Sequence, residues 1–143
     1  MADANTPSLN PYQHDALEIR MRHLERTLLQ TGRLLRLPPG GRLVRFRPLS
    51  PETAARAEAV MGAMLAEIAV MAETFDLQPE VEGVAQSILS EMTAAWADLY
   101  DTQSAKLRGY GAVDPSLADA LDPHIQQLMT LSTSLVQLIK GGA

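Results

Sequence analysis

Few side chains of this sequence have the types and spacing that metal chemistry requires. The chain has no cysteine and three histidines, and a di-iron site in a helical bundle needs Glu three residues before His on two helices. Those positions hold Pro11, Arg20 and Leu121. His14 and Glu18 stand one helical turn apart, but a single such pair is typical of a surface contact. We therefore expect no metal and no cofactor.

Nucleophilic and phosphate-transfer chemistry has no better support. The sequence contains no glycine-rich phosphate loop with Lys, no dinucleotide fingerprint and no nucleophile elbow. General acid–base catalysis favours carboxylates at buried positions, where their pKa shifts, yet the acids lie off the apolar helix seams. We therefore predict no catalytic residues and a protein that is not an enzyme; a small-molecule enzyme with its site in the bundle core is the disfavoured alternative.

Arginine is the one charged residue with a marked distribution. Residues 33–51 contain five arginines and no acid, a charge of +5 against −10 for the remainder, which gives the net −5. Guanidinium groups match phosphate and carboxylate geometry, so this segment is a candidate site for an anion or another partner. The candidate residues are Arg26, Arg33, Arg36, Arg42, Arg45 and Arg47.

Several interpretations of this arginine segment remain open. Nucleic acid, anionic lipid or an acidic protein surface would each suit it, while solvation, or pairing with the chain's own acids, is the plainer interpretation. Nucleic acid is possible but not favoured, because the chain is acidic and Phe46 is the only aromatic residue of the loop. The loop, residues 36–50, contains a Pro-Gly turn and predicts a small hairpin or two extended arms. We expect Leu37, Val44, Phe46 and Leu49 to cap the helices while the arginines face water.

Four segments have helical periodicity, and none has sustained strand alternation. The first spans residues 11–35. The second begins after the N-cap Ser50, the third begins at Pro79–Glu80 and ends near Gly109, and the fourth begins at Asp122–Pro123.

Apolar residues recur at intervals of three and four on these segments, which predicts an all-α four-helix bundle. We expect residues 1–10 to form a flexible tail and residues 11–143 a single domain. Short links predict antiparallel neighbours, but the loop at 36–50 is long enough to cross the whole bundle. Helices 1 and 2 are therefore either antiparallel, in an up-and-down order, or parallel with a long crossover.

The fourth helix provides the best argument for an interaction surface. Its apolar residues cover about 180° of the helix, more than one bundle seam requires, and no charged residue occurs from Pro123 to Ile139. Trp96 and Tyr100, one turn apart on helix 3, could edge the core or anchor an interface. The candidate interface residues are Leu131, Val136, Leu138, Trp96 and Tyr100.

These observations predict a non-enzymatic interaction, assembly or regulatory protein that self-associates, as a homodimer or with another protein partner. An anion- or nucleic-acid-binding protein is the alternative. No segment is long and apolar enough to be a transmembrane helix, no secretory signal is present at the start, and we expect a cytoplasmic location.

Overall fold

The computed structural model describes residues 7–142, and within them the chain is all-helical. It has four α-helices, one 3₁₀ helix and no β-strand in these residues: α1 Pro11–Leu34, α2 Pro51–Phe75, α3 Val84–Asp101, the 3₁₀ helix Ser104–Tyr110, and α4 Leu117–Gly142. None of the described helices is apolar over a sufficient length to cross a membrane. Residues 1–6 of the predicted flexible tail lie outside the described residues.

The chain divides into two compact units. Unit 1 ends at Glu80 and unit 2 begins at Val81, and each is described by itself below. The single domain predicted over residues 11–143 stays a prediction.

Local capping explains where α1 and α2 begin. Asn10 accepts a hydrogen bond from the backbone N–H of Gln13, whose side chain accepts one in return from the N–H of Asn10. Ser50 caps α2 through the N–H of Thr53. Both helices have proline at their first position, where its missing N–H costs no hydrogen bond. The start predicted for α2 at Ser50 is confirmed.

The predicted start of the third helix is wrong by several residues. α3 begins at Val84, after Gly83, rather than at Pro79. Side chains of α1 account for the delay: Arg22 donates two hydrogen bonds to the Gln78 carbonyl oxygen, and Arg26 contacts the carboxylate of Glu80. These contacts fix residues 78–80 in a non-helical conformation, at the position where the sequence predicts the helix start.

The boundaries around α4 also differ from the prediction. α3 ends at Asp101 rather than near Gly109, and α4 begins at Leu117 with Pro123 inside it. Asp122 does not cap a helix start here, because its two carboxylate oxygens accept hydrogen bonds from the backbone N–H and the hydroxyl of Ser104, both at 2.8 Å.

In unit 1, α1 and α2 run antiparallel. The ring of His14, at the start of α1, is 3.0 Å from the carbonyl oxygen of Asp76, just after α2. At the other end Arg36 pairs with Glu58 near the start of α2. The long crossover between helices 1 and 2 is therefore excluded. The buried or half-buried apolar residues between them include Leu17, Met21, Leu24, Leu28, Ala57, Met61, Leu65, Ile68, Met71 and Phe75.

The loop between α1 and α2 returns through the small hairpin that the sequence allowed. Gly40 and Arg45 form an isolated antiparallel bridge, the Gly41 N–H donates to the Val44 carbonyl, and the Phe46 N–H donates to the Pro39 carbonyl. We call residues 39–47 the arginine hairpin. The capping role predicted for the apolar residues of the loop 36–50 is wrong, because the side chains at four positions stay exposed: Leu37, Val44, Phe46 and Leu49.

In unit 2, α3 packs on α4 and the 3₁₀ helix packs on α4. The α3 residues on the inner face are Ala85, Ile88, Met92, Ala95 and Leu99. The α4 residues that are buried or half-buried are Leu117, Leu121, Asp122, Ile125, Met129, Ser132, Val136 and Ile139.

Burial is sparse throughout the described chain. Only Leu28, Ile68 and Ile125 among its apolar residues are almost fully buried. Many large apolar side chains are exposed instead, among them Val60, Val70 and Leu138. Much apolar surface is therefore left for contacts beyond those within each unit.

Candidate interaction surfaces

Part of the arginine set is paired within unit 1. Arg22 pairs with Glu18 at 2.8 Å, Arg26 with Glu80 at 3.3 Å and Arg36 with Glu58 at 3.1 Å. Arg22 thus pairs within α1, whereas Arg26 and Arg36 pair with acids after α2 and on α2. Arg26 and Arg36 each have an acidic partner in unit 1, and their role in binding a ligand stays a prediction.

The other candidate arginines are exposed and form no ion pair in the described part of the chain: Arg33, Arg42, Arg45 and Arg47. Arg33 lies in the last turn of α1, where a cation interacts favourably with the helix dipole. The remaining three belong to the arginine hairpin, which therefore concentrates the positive charge that unit 1 does not neutralise.

The outer side of α4 has an exposed row of leucines, which we call the leucine stripe: Leu128, Leu131, Leu135 and Leu138, with exposures of 49%, 54%, 40% and 72%. Their spacing of three, four and three residues is that of the a and d positions of a coiled coil. At 100° per residue the stripe is centred about 90° from the inner face of the helix. α4 thus has two apolar faces, of which α3 covers one.

The surroundings of the leucine stripe are uncharged. Between Asp122 and Lys140 the helix has no Asp, Glu, Lys or Arg, and its other side chains are Gln, Thr and Ser together with Pro123 and His124 in its first part. A partner could therefore cover the stripe without desolvating a charge, which is the costly part of burying a surface.

The candidate interface residues divide between several environments. Leu131 and Leu138 belong to the leucine stripe. Val136 is half-buried on the inner face, about 100° around the helix from Leu135. It therefore lies off the leucine stripe, and its place in an interface stays a prediction.

Trp96 and Tyr100 are exposed on α3 and stack on each other, with ring centroids 5.8 Å apart and planes 14° from parallel. The ammonium of Lys106 lies 4.9 Å from the centroid of the Tyr100 ring, a favourable cation–π contact. Lys106 therefore already covers part of the aromatic pair, and an interface through these rings stays a prediction.

Sequence reasoning missed Leu128, Leu135 and Leu43 as surface residues. Leu128 and Leu135 continue the spacing of Ile125 and Ile139, which favours core positions for them. The available signal was the heptad spacing of all four leucines, together with the excess width of the apolar face. Leu43 follows Arg42 and precedes Val44, and it is 95% exposed. Only the turn geometry identifies it as the tip of the hairpin.

His14 and Glu18 bind backbone groups of the segment after α2. The hydrogen bond from the ring Nε2 to the Asp76 carbonyl oxygen favours the protonated ring and raises the pKa of His14. Glu18 accepts a hydrogen bond from the Gln78 N–H at 2.8 Å and pairs with Arg22. Among the described residues no group of three or more His, Asp or Glu could hold a metal ion.

A pocket of about 430 Å³ lies in unit 2 beside the 3₁₀ helix, with Ser104, Arg108 and Asp114 in its lining. Its polar groups already have partners: Ser104 bonds Asp122, and the Ser116 hydroxyl and N–H donate to Asp114 at 2.7 and 2.8 Å. The hydrogen bonds from Ser116 lower the pKa of the Asp114 carboxyl. The pocket therefore presents Arg108 as its main polar group without a hydrogen bond to another side chain.

Comparison with known proteins gives no match. No protein-family model matches the chain, and no curated protein and no solved structure matches it either.

Proposed function

We propose that this chain is a non-enzymatic interaction module that self-associates through the leucine stripe of α4. One observation supports the proposal above all others: four leucines at coiled-coil spacing are 40–72% exposed on a helix without charge between Asp122 and Lys140. Burying a leucine contributes about 1.5–3 kcal/mol relative to full exposure, so a partially exposed stripe of four provides substantial association energy.

The uncharged surroundings favour a second copy of this chain as the occupant. In a twofold contact the same patch faces itself, so residues near the axis meet their own counterparts and any charge there would face a like charge. The stripe and its Gln, Thr and Ser flanks avoid that repulsion. A partner of another sequence would tolerate, and commonly use, charges on this face.

Self-association also bears on the four-helix bundle predicted from the sequence. In the proposed dimer, α3 and α4 of two copies supply the four helices. In the alternative, the bundle forms within one chain, whose other two helices cover the stripe. The two arrangements differ in mass, because the second gives a monomer. The dimer would suit an assembly or regulatory role. The cytoplasmic location stays a prediction.

The test is the solution mass of the full chain, measured by sedimentation equilibrium across a concentration series. We expect a species of about twice the 15.5 kDa chain mass. The double variant Leu131→Glu, Leu138→Glu should weaken dimerisation by at least about 100-fold, because it places charges where the dimer would bury two leucines.

The matched control is Thr130→Glu, Gln137→Glu, which adds the same charge to the same helix at exposed positions of its polar face. The control should remain dimeric, and circular dichroism should show both variants helical. A wild-type chain that stays at 15.5 kDa at every concentration would overturn the proposal and favour the single-chain bundle. Equal loss of association in both variants would show that the leucine stripe is not the interface.

A further inference from the structure

The arginine hairpin is a preformed element of unit 1. Backbone hydrogen bonds of 2.8 and 3.0 Å join its two arms, from Gly41 to Val44 and from Phe46 to Pro39. Gly40 has a φ of +108°, and a Cβ there would overlap the Val44 carbonyl oxygen and lie 2.9 Å from the Arg45 Cα. A side chain at residue 40 is therefore incompatible with this turn.

The hairpin combines free cations with exposed apolar side chains. Arg42, Arg45 and Arg47 are exposed and form no ion pair with the residues that the structure describes. Between them stand Leu43 at the tip, 95% exposed, and Val44, 60% exposed. Water is a poor environment for this apolar tip, and each arginine leaves an unneutralised charge beside it.

We propose that the arginine hairpin binds an anionic lipid surface, with Leu43 entering the boundary between headgroups and acyl chains. Each arginine near an anionic bilayer contributes attraction, and an apolar side chain inserted beside the headgroups adds hydrophobic affinity. Long arginine side chains can keep their charge at headgroup level while the tip descends. This attachment needs no self-association, although a dimer would carry two hairpins.

The exposed tip favours a lipid surface over nucleic acid. A phosphate backbone offers charge but no apolar layer for Leu43 and Val44, and single-stranded bases bind chiefly by stacking on aromatic rings. The hairpin has Phe46 as its single aromatic residue. The net charge of −5 opposes both ligands, but at physiological salt charges beyond about 8 Å are largely screened, so the local charge of the hairpin governs contact.

The experiment is co-sedimentation of the full chain with two kinds of vesicle, phosphatidylcholine alone and phosphatidylcholine with about one-third phosphatidylserine. Binding to the anionic vesicles alone, weakened by added salt, is the expected result. The triple variant Arg42→Gln, Arg45→Gln, Arg47→Gln should lose about 100-fold in affinity. Leu43→Ser should lose about tenfold.

Two controls separate the hairpin from net charge. The triple variant Arg20→Gln, Arg56→Gln, Arg108→Gln removes the same charge elsewhere and should retain at least half of the binding. Gly40→Ala should weaken binding several-fold because the turn cannot form, whereas Gly41→Ala, whose Cβ would meet nothing within 4 Å, should not.

Three results would overturn the proposal. The first is absence of binding to anionic vesicles, and the second is equal loss in both arginine triple variants. The third is binding of a labelled oligonucleotide that depends on Arg42, Arg45 and Arg47 while the vesicles stay unbound, which would assign the hairpin to nucleic acid instead.

Discussion

The two units of this chain are both built from a pair of α-helices, but their side chains make different contacts outside the apolar inner faces. In unit 1, α1 reaches the segment after α2 through Glu18, Arg22 and Arg26, which bind groups of Gln78 and Glu80. In unit 2, α4 has no charge over 17 residues and presents a second, apolar face. The charged side chains of α1 named here contact other groups of unit 1, and the uncharged face of α4 remains available.

This difference shows that charged residues determine how much of the surface of a helix remains available to a partner. A helix with charged residues on its flanks can satisfy them within its own unit, as α1 does, and then has little left to offer a partner. A helix without charges cannot be fixed in this way, but it can be buried on two sides at low desolvation cost. In unit 2 the carboxylate of Asp122 joins α4 to the 3₁₀ helix through Ser104.

The largest loss of stability is expected from Asp122→Ala in unit 2. Ser104 is 7% exposed, and the variant leaves its backbone N–H and hydroxyl without their acceptor. An unsatisfied buried donor costs about 1–3 kcal/mol, so we expect the free energy of unfolding to fall by about 2 kcal/mol. Urea unfolding followed by the fluorescence of Trp96, the only tryptophan and a residue of unit 2, measures this.

Asp98→Ala is the control for that variant, since Asp98 is an exposed acid of α3 and surface substitutions usually stay within about 0.5 kcal/mol. If Asp122→Ala is no less stable than Asp98→Ala, the contact between the 3₁₀ helix and α4 does not contribute to the stability of unit 2.

A smaller effect is expected from Arg22→Ala in unit 1. The variant removes hydrogen bonds of 2.9 and 2.7 Å to the Gln78 carbonyl and leaves Glu18, whose side chain is 14% exposed, without its cation. Because Arg22 is 28% exposed, solvent screens part of the loss, and we expect about 1–2 kcal/mol. Hydrogen exchange of α1 and α2 amides locates the effect.

Arg56→Ala tests whether any ion pair of unit 1 would give the same result. Arg56 pairs with Glu52 one turn away at 3.0 Å, and both side chains are about three-quarters exposed, 79% and 76%. Such pairs contribute about 0.3–0.5 kcal/mol. Equal effects of Arg22→Ala and Arg56→Ala would mean that the contacts to the segment after α2 are not special.

Local signals in the sequence predicted much of the fold, and contacts distant in sequence account for the errors. The N-cap Ser50 lies beside its helix and was read correctly. Pro79–Glu80 and Asp122–Pro123 were read as helix starts, but Arg22, Arg26 and Ser104 bind those segments from 18 to 56 residues away. Helix propensities depend on neighbouring residues and therefore cannot predict such distant contacts.

The candidate surfaces show the same limit. The sequence indicates that the apolar surface of α4 is wider than one seam requires. It does not indicate which side of the helix faces α3, because the inner position 132 holds serine instead of an apolar residue. That serine made Leu128 and Leu135 the better match to a core seam. The arginine segment was visible as charge, whereas its division into paired and unpaired residues depends on which acids α2 and the following segment bring near.

The smallest expected effect concerns pH and distinguishes the two units further. The carbonyl oxygen of Asp76 raises the pKa of His14 above its ordinary value of 6.5, so the folded state of unit 1 binds this proton more tightly than the unfolded chain does. The resulting stabilisation is fully present below the unfolded pKa and is lost as the pH rises through the folded pKa. Protection of α1 amides in hydrogen exchange, corrected for intrinsic rates, should therefore be slightly greater at pH 5.5 than at pH 8.5, and His14→Gln should abolish the difference. If the variant keeps the same pH dependence, the contact of His14 with Asp76 is not its source, and the charged contacts of Glu18, Arg22 and Arg26 alone distinguish unit 1 from unit 2.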